Sequence, residues 1–182
     1  VRDVLYWSKE TSLGDLTSLQ CGNSIFFPFC GRSYHKGQKD QWKDQKGIDR
    51  TMPENGFAQN GQFELCSLDE RGFTAELKPN TANEEHYPFN YRFTIRYVLE
   101  SIFFKIYLSL ENLGDEPILW SAGHRFYFTL PWHSGLERDD YRFQVSAKKC
   151  FTQSPDGRLV PAQKGWTDQT SFGNQANNER IY

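Results

Sequence analysis

The side chain best suited to chemistry is the imidazole of His124, in the stretch SAGHRFYFTLPW that covers residues 121–132. A glycine precedes this histidine and a run of aromatic residues follows it, a pattern typical of a strand. A histidine on a strand suits general acid–base chemistry because its pKa lies near neutrality. A hydrogen-bonded structural histidine would fit the same pattern, so the pattern leaves both interpretations open.

Several other chemistries lack their sequence patterns. No two of the four histidines stand at metal-ligand spacing and no two of the four cysteines are close, so no metal site is predicted. The Gly-x-Ser-x-Gly elbow of serine hydrolases and the glycine-rich loops that hold phosphates are absent. The remaining imidazole, guanidinium and carboxylate groups suit proton transfer on a polyhydroxylated ligand, and no cofactor is predicted.

Length and charge narrow the class of protein. The 182 residues suffice for one sizeable core, so we expect a single domain over residues 1–182. The net charge is −2 and both signs are interspersed, which argues against nucleic acid as a partner. No apolar run approaches the length of a membrane span, so no membrane contact is predicted.

The cysteines and the chain ends carry two further expectations. Widely spaced cysteines predict reduced, buried thiols of a cytoplasmic protein, with a disulfide between two of them as the alternative. The chain has no initiator methionine and closes on NNERIY, where a strand could begin. We therefore expect truncation at both ends.

Alternating apolar and polar residues predict a protein that is almost entirely β. The clearest strands are Phe89–Leu99 and Ile102–Leu110, each with one apolar face. An aromatic content of 16% favours pleated sheet. Two long strands with a wholly apolar face need a second sheet against them, so the sequence predicts a large antiparallel β-sandwich.

Weaker patterns complete the map of the chain. Further strands are predicted at Val1–Trp7, at Ser24–Arg32 with Pro28 marking an edge or an end, at Ile118–Pro131 and at Tyr141–Thr152, with a hairpin at Gln62–Leu68 and Gly72–Leu77. Between them lie a predicted long surface loop at Tyr34–Arg50, a turn at Met52–Ala58, a polar loop at Pro79–Pro88 and a turn at residues 154–157.

Four stretches, in order, resemble the aldose 1-epimerase (galactose mutarotase-like) family, and in particular its branch of hexose-phosphate mutarotase-like proteins. They are PFCGR at a strand end, the turn MPENGFA, YPFNYRFTIRYVLE with a following strand that ends ENLGDEP, and AGHRFYFTLPW. The resemblance covers residues from about 24 to about 161. It implies the galactose mutarotase-like supersandwich, whose concave face binds a sugar.

The resemblance also implies residue roles. A histidine at the position of His124 acts as general acid on the sugar ring oxygen, while a glutamate near the C-terminus takes the proton of the anomeric hydroxyl. The ring opens, the bond between C1 and C2 turns, and closure gives the other anomer. Arg32 and Asn55 are implied to contact hydroxyls of the sugar, which is a hexose or a hexose phosphate, and no cofactor takes part.

Three departures from the family pattern keep alternatives open. Asn55 stands where the turn usually has histidine, and asparagine can hydrogen-bond a hydroxyl but cannot carry a proton charge. Arg125 replaces the usual proline after the histidine, and no residue matches the glutamate base. The leading hypothesis is a cofactor-free mutarotase. The alternatives are a non-catalytic sugar-binding relative and, more weakly, a structural interaction module.

Overall fold

The structure is a computed structural model, and it describes residues 3–8, 20–101, 103–144, 150–161, 169–171 and 179–181. Strands dominate this part of the chain, which confirms the all-β prediction. In chain order they are β1 (Asn23–Phe26), β2 (Tyr34–His35), β3 (Gln38–Lys39), β4 (Gln41–Lys43), β5 (Asp49–Thr51), β6 (Phe63–Asp69), β7 (Gly72–Leu77), β8 (Tyr91–Glu100), β9 (Phe103–Asn112), β10 (Gly123–Phe126), β11 (Arg142–Gln144), β12 (Cys150–Gln153), β13 (Leu159–Pro161), β14 (Gln169–Ser171) and β15 (Glu179–Ile181).

Helical structure in the described ranges is short. It consists of α1 (Thr81–Glu84) and two 3₁₀ turns, Ala58–Asn60 and Arg138–Asp140. The side chain of Asn80 caps α1 by accepting a hydrogen bond from the Ala82 N–H at 3.0 Å. None of the described helices is long and apolar enough to cross a membrane.

The largest sheet is antiparallel, with strand order β6–β7–β8–β9. Strands β8 and β9 pair along their full length, from Tyr91 opposite Asn112 to Glu100 opposite Phe103. This ladder and the β6–β7 hairpin confirm the two strand pairs that alternation predicted. The remaining strands of the described chain form smaller sheets, among them the β1–β10 pair that carries His124.

The core lies between one face of the large sheet and the segment around β1. Phe27 and Phe93 are fully buried and stack with their ring centroids 4.0 Å apart. Burial of a ring of this size contributes about 1.5–3 kcal/mol. Leu99 lies on the same predicted face as Phe93 but is 57% exposed, so the burial of this face does not reach the end of β8.

The predicted loop at Tyr34–Arg50 is wrong, because this segment folds into two small hairpins, β2–β3 and β4–β5. Trp42 of β4 is buried and donates its indole N–H to the His86 carbonyl at 3.2 Å. Asp44 is buried too and accepts from the Arg50 guanidinium at 2.7 Å. Strands of two or three residues are too short for alternation to reveal them.

Other predicted elements are shorter than expected. Among the described residues of the predicted N-terminal strand, 3–7, pairing is limited to one bridge, Leu5 to Phe128. The predicted strand at 118–131 is regular only in β10. The strand predicted at 141–152 is described as β11 and β12, with residues 145–149 outside the described ranges. The polar loop at 79–88 contains α1. Pro28 lies just past the end of β1, as its missing N–H predicts.

Three cysteines are described with their side chains, and all three are free thiols, so no disulfide joins any two of them. Cys21 is buried as predicted, Cys30 is half-buried, and Cys66 is exposed. Cys66 is the extra, unpaired residue where the β6–β7 register shifts between Leu65 and Ser67, which explains why its burial prediction is wrong.

Candidate functional site

His124 lies on a strand face that looks toward the large sheet. In the β1–β10 ladder Phe126 pairs with Asn23, and His124 shares their face because it is two residues from Phe126. The Phe126 ring centroid lies 6.1 Å from that of Phe104 on β9. Asn23 donates its side-chain amide to the Tyr97 hydroxyl on β8 at 2.9 Å. The pairing of β10 with β1 therefore presents the imidazole toward strands β8 and β9.

The His124 imidazole is exposed and lies against one aromatic ring, that of Phe126, with centroids 4.8 Å apart and the planes at 70°. Partial desolvation lowers the pKa of His124 below its ordinary value of 6.5, so the neutral form predominates at pH 7. Within the described part of the chain, no hydrogen bond or ion pair engages this side chain. Its ring nitrogens are thus available to a ligand.

The opposite face of β10 rests on the segment that follows β1. A Cβ on Gly123 would lie 2.9 Å from the Cys30 sulfur, so only glycine permits this approach. Ser121, just before β10, donates its N–H to the Pro28 carbonyl at 2.7 Å and accepts from the Cys30 N–H at 2.9 Å through its hydroxyl. These contacts fix the point at which the chain enters the strand that bears His124.

Arg32, two residues beyond Cys30, is surrounded by carboxylates. Its guanidinium donates to both oxygens of Asp40 at 2.9 Å and lies 2.7 Å from a Glu54 oxygen. Desolvation alone would lower the pKa of Arg32, but Glu54 and Asp40 outweigh it and raise the pKa above its ordinary value. The turn at 154–157 packs against this side chain, because a Cβ on Gly157 would overlap the Cδ atom of Arg32.

Asn55 is held against the same loop by a reciprocal pair of hydrogen bonds. Its side-chain oxygen accepts from the Gly31 N–H at 3.0 Å, and its own N–H donates to the Gly31 carbonyl at 2.8 Å. The backbone of Asn55 is left-handed, with φ of 64°, a conformation that asparagine tolerates. Its Nδ2 amide has no partner among the described residues and remains free to donate.

Arg32 and Asn55 lie in one cluster, because Asn55 is hydrogen-bonded to Gly31 and Arg32 is paired with Glu54. The Ser121–Cys30 hydrogen bond joins the residue before β10, the strand of His124, to the segment that leads to this cluster. In the described ranges no hydrogen bond or ion pair joins His124 directly to the other two. Nor do these ranges contain three or more His, Cys, Asp or Glu residues grouped as a metal site would need.

Sequence reasoning missed Ser121, Asp40 and Glu54 as partners of the candidate residues. Glu54 lies inside the MPENGFA motif, and its place beside Asn55 was the one available signal. Asp40 lies in the segment for which a loop is predicted. Ser121 contacts a residue 91 positions away, for which no local pattern exists.

Two replacements of Asn55 separate its hydrogen bond from its backbone conformation. Asn55→Gly keeps the left-handed turn and the backbone hydrogen bond to Gly31 but loses the side-chain one. We expect it to lower the free energy of unfolding by about 0.5–1.5 kcal/mol. Asn55→Ala adds left-handed strain and should cost about 1–2 kcal/mol more. Urea denaturation monitored by fluorescence gives both values. If both variants matched the unmodified protein, the side-chain hydrogen bond to Gly31 would contribute nothing to stability.

Comparison with known proteins gives a family match over nearly the whole chain. A model of the aldose 1-epimerase family matches residues 4–179. The chain is 23% identical over 152 residues to the chromosomal protein LacX of Lactococcus lactis subsp. lactis, and 22% identical to the plasmid form. These matches cover 81% of this chain and 50% of each relative, so the chain spans about half the length of the curated relatives it matches.

Solved structures show the same fold. A galactose mutarotase related enzyme from Lactobacillus acidophilus matches with a TM-score of 0.64 and 24% identity, over 82% of this chain and 47% of its own. A galactose mutarotase-like protein from Lactobacillus casei ATCC 334 matches with a TM-score of 0.66 and 18% identity, over 93% of this chain and 56% of its own. These likenesses confirm the predicted antiparallel β-sandwich.

Proposed function

The chain belongs to the aldose 1-epimerase family, and from this premise we propose that it binds a hexose and interconverts the α and β anomers, with His124 as proton donor. One observation carries the assignment of His124. Its imidazole is exposed, faces strands β8 and β9, and has no hydrogen-bond partner in the described chain. A group with this geometry can reach a ligand without breaking a hydrogen bond of the fold.

The proposed reaction needs one acid and one base. Protonated His124 gives its proton to the ring oxygen while a carboxylate takes the proton of the anomeric hydroxyl, so the bond between C1 and the ring oxygen breaks and an aldehyde forms. The bond between C1 and C2 turns, and the reverse transfers close the ring on the other face. Positioned acid–base catalysis of this kind contributes a factor of about 10²–10⁴ in rate.

The base in this proposal is the glutamate that the family resemblance places near the C-terminus. No residue of this chain matches it. The histidine and the glutamate would act from opposite sides of the hemiacetal, each within hydrogen-bond reach of its oxygen. His124 therefore represents one half of the proposed acid–base pair.

Arg32 and Asn55 are proposed to orient the sugar by donating to its hydroxyls, through the guanidinium and the free Nδ2 amide. One guanidinium faces two carboxylates, Asp40 and Glu54, so this cluster carries a net negative charge. A net negative cluster repels a phosphate group, whereas hydroxyls accept hydrogen bonds regardless of it. The charge balance thus supports an unphosphorylated hexose over a hexose phosphate as the preferred substrate.

Polarimetry of freshly dissolved sugars tests the proposed reaction. We expect the protein to accelerate the mutarotation of α-D-glucose or α-D-galactose over the buffer rate, and to act less on their 6-phosphates. Preference for the phosphates would overturn the argument from charge while leaving mutarotation itself supported. If no sugar of either kind were accelerated, the proposed activity would be wrong.

The pH dependence of the reaction should report the lowered pKa of His124. A general acid must be protonated in the free enzyme, so kcat/KM should fall as pH rises through that pKa. Because desolvation lowers the pKa, the midpoint of this fall should lie below 6.5. Initial rates measured across pH, after subtraction of buffer catalysis, locate the midpoint. A fall centred above 6.5 would contradict the assignment.

A second function, sugar binding without turnover, is favoured by one observation. Asn55 replaces a histidine of the family turn, and its side-chain oxygen is already bound to Gly31. If the histidine that Asn55 replaces is an essential proton carrier in the family, calorimetry should detect hexose binding by this chain while polarimetry detects no acceleration. His124→Ala would then change the affinity and leave no rate to change.

A further inference from the structure

A cleft with a volume of about 420 Å³ opens between α1, residues 87–90 and the first residue of β8. This volume lies within the range of about 300–1,000 Å³ that is typical of small-molecule sites. His124, Arg32 and Asn55 do not line it. The cleft is therefore separate from the residues proposed for mutarotation.

Several hydrogen-bonding groups at this cleft are unused. The side chains of Asn83 and Glu84 and the Tyr91 hydroxyl have no hydrogen-bond partner among the described residues, although all three residues line the cleft. Asn90 donates its amide to the Leu113 carbonyl at 3.3 Å, which leaves its side-chain oxygen free to accept. The cleft thus offers an amide, a carboxylate, a hydroxyl and a carbonyl oxygen to one ligand.

Desolvation raises the pKa of Tyr91 to about 12, so its hydroxyl stays protonated and can donate at neutral pH. An apolar wall stands beside these groups. The half-buried ring of Phe89 packs edge-on against Tyr87 with centroids 4.7 Å apart, and it also lies near the Trp42 ring at 6.4 Å. These contacts hold the Phe89 ring in a fixed orientation at the cleft.

The lining also determines the charge of an acceptable ligand. None of the described residues that line the cleft is a lysine or an arginine, and Glu84 is its one carboxylate. An anionic ligand would meet a like charge with no cation to offset it. Amides, hydroxyls and carboxylates pair with vicinal hydroxyl groups, and aromatic rings pack against apolar surfaces such as the C–H face of a pyranose.

We propose that this cleft is a second carbohydrate site, which takes a neutral saccharide and holds it between the Phe89 ring and the polar groups of Asn83, Glu84, Asn90 and Tyr91. The proposal does not depend on mutarotation, because no residue of the acid–base mechanism takes part. The expected ligand is a neutral pyranose, alone or as a residue of a longer glycan, and not a sugar phosphate.

The test uses methyl β-D-galactopyranoside and methyl α-D-glucopyranoside, which are neutral and cannot open their rings, with glucose 6-phosphate as the anionic comparison. Binding to the full chain is measured by NMR titration. Asn83→Ala removes an amide at a position where alanine favours helix, and Tyr91→Phe removes the hydroxyl but keeps the ring. Gln38→Ala removes an exposed amide from β3, outside the cleft, and serves as the matched control.

We expect Asn83→Ala and Tyr91→Phe each to weaken glycoside binding by about fivefold, the effect of one lost hydrogen bond. Gln38→Ala should leave this binding unchanged, and glucose 6-phosphate should not compete for it. Cleft variants that bind the glycosides as tightly as the unmodified chain would overturn the second site. The absence of any glycoside binding would also overturn it. Polarimetry tests the proposed mutarotation separately, so the failure of one proposal can be told from the failure of the other.

Discussion

His124→Gln is expected to lower kcat/KM for mutarotation by a factor of about 10²–10⁴, the usual contribution of a positioned general acid. Glutamine is close in size and can still hydrogen-bond a sugar, but it cannot release a proton to the ring oxygen. Because the imidazole is exposed and makes no hydrogen bond within the described chain, its replacement should leave the urea midpoint almost unchanged. Polarimetry and denaturation on the same preparation measure both quantities.

His133→Gln is the matched control for this prediction. His133 is exposed and follows the same stretch. Both of its described hydrogen bonds are made by the backbone: the N–H donates to the Tyr141 hydroxyl at 2.8 Å, and the carbonyl accepts from the Leu136 N–H at 3.4 Å. We expect full activity from this variant. Equal activities of His124→Gln and the unmodified protein would exclude His124 from the mechanism. Such a result would leave the membership of the family unaffected.

Gly56→Ala should produce the largest loss of stability from a single methyl group. The backbone of Gly56 has φ of 71°, where alanine costs about 1–2 kcal/mol. An added Cβ would also overlap the Phe27 carbonyl, which accepts hydrogen bonds from the Phe57 and Ala58 N–H groups at 2.9 and 3.2 Å. With those bonds disturbed, we expect a loss of about 2–5 kcal/mol in the free energy of unfolding.

Gly37→Ala isolates the effect of the overlap. Gly37 has φ of 78°, close to that of Gly56, but nothing lies within 4 Å of the position that a Cβ would take, so only the backbone strain applies. We expect it to cost about 1–2 kcal/mol. Urea denaturation of the two variants gives the difference directly. If the two variants lost the same free energy of unfolding, the close approach of the MPENGFA turn to Phe27 would contribute nothing to the effect of Gly56→Ala.

The parts of the fold that sequence reasoning predicted well are those with a local cause. Ten-residue strands such as β8 and β9 repeat the alternation often enough for it to be recognised. The Asn55–Gly56 turn follows from two residue types that tolerate positive φ. The hairpins at 34–51 were missed because their strands have only two or three residues, and buried Asp44 gave the misleading signal of a polar loop.

For the candidate site, the sequence by itself identified His124 on its strand, and the order of four motifs identified the family. It could not determine what each candidate side chain touches. Only the tertiary structure joined Ser121 to Cys30, paired Arg32 with Asp40 and Glu54, and bound the Asn55 oxygen to Gly31. Residue type and spacing act through the local backbone, whereas these hydrogen bonds and charge pairs form between segments that only folding brings together.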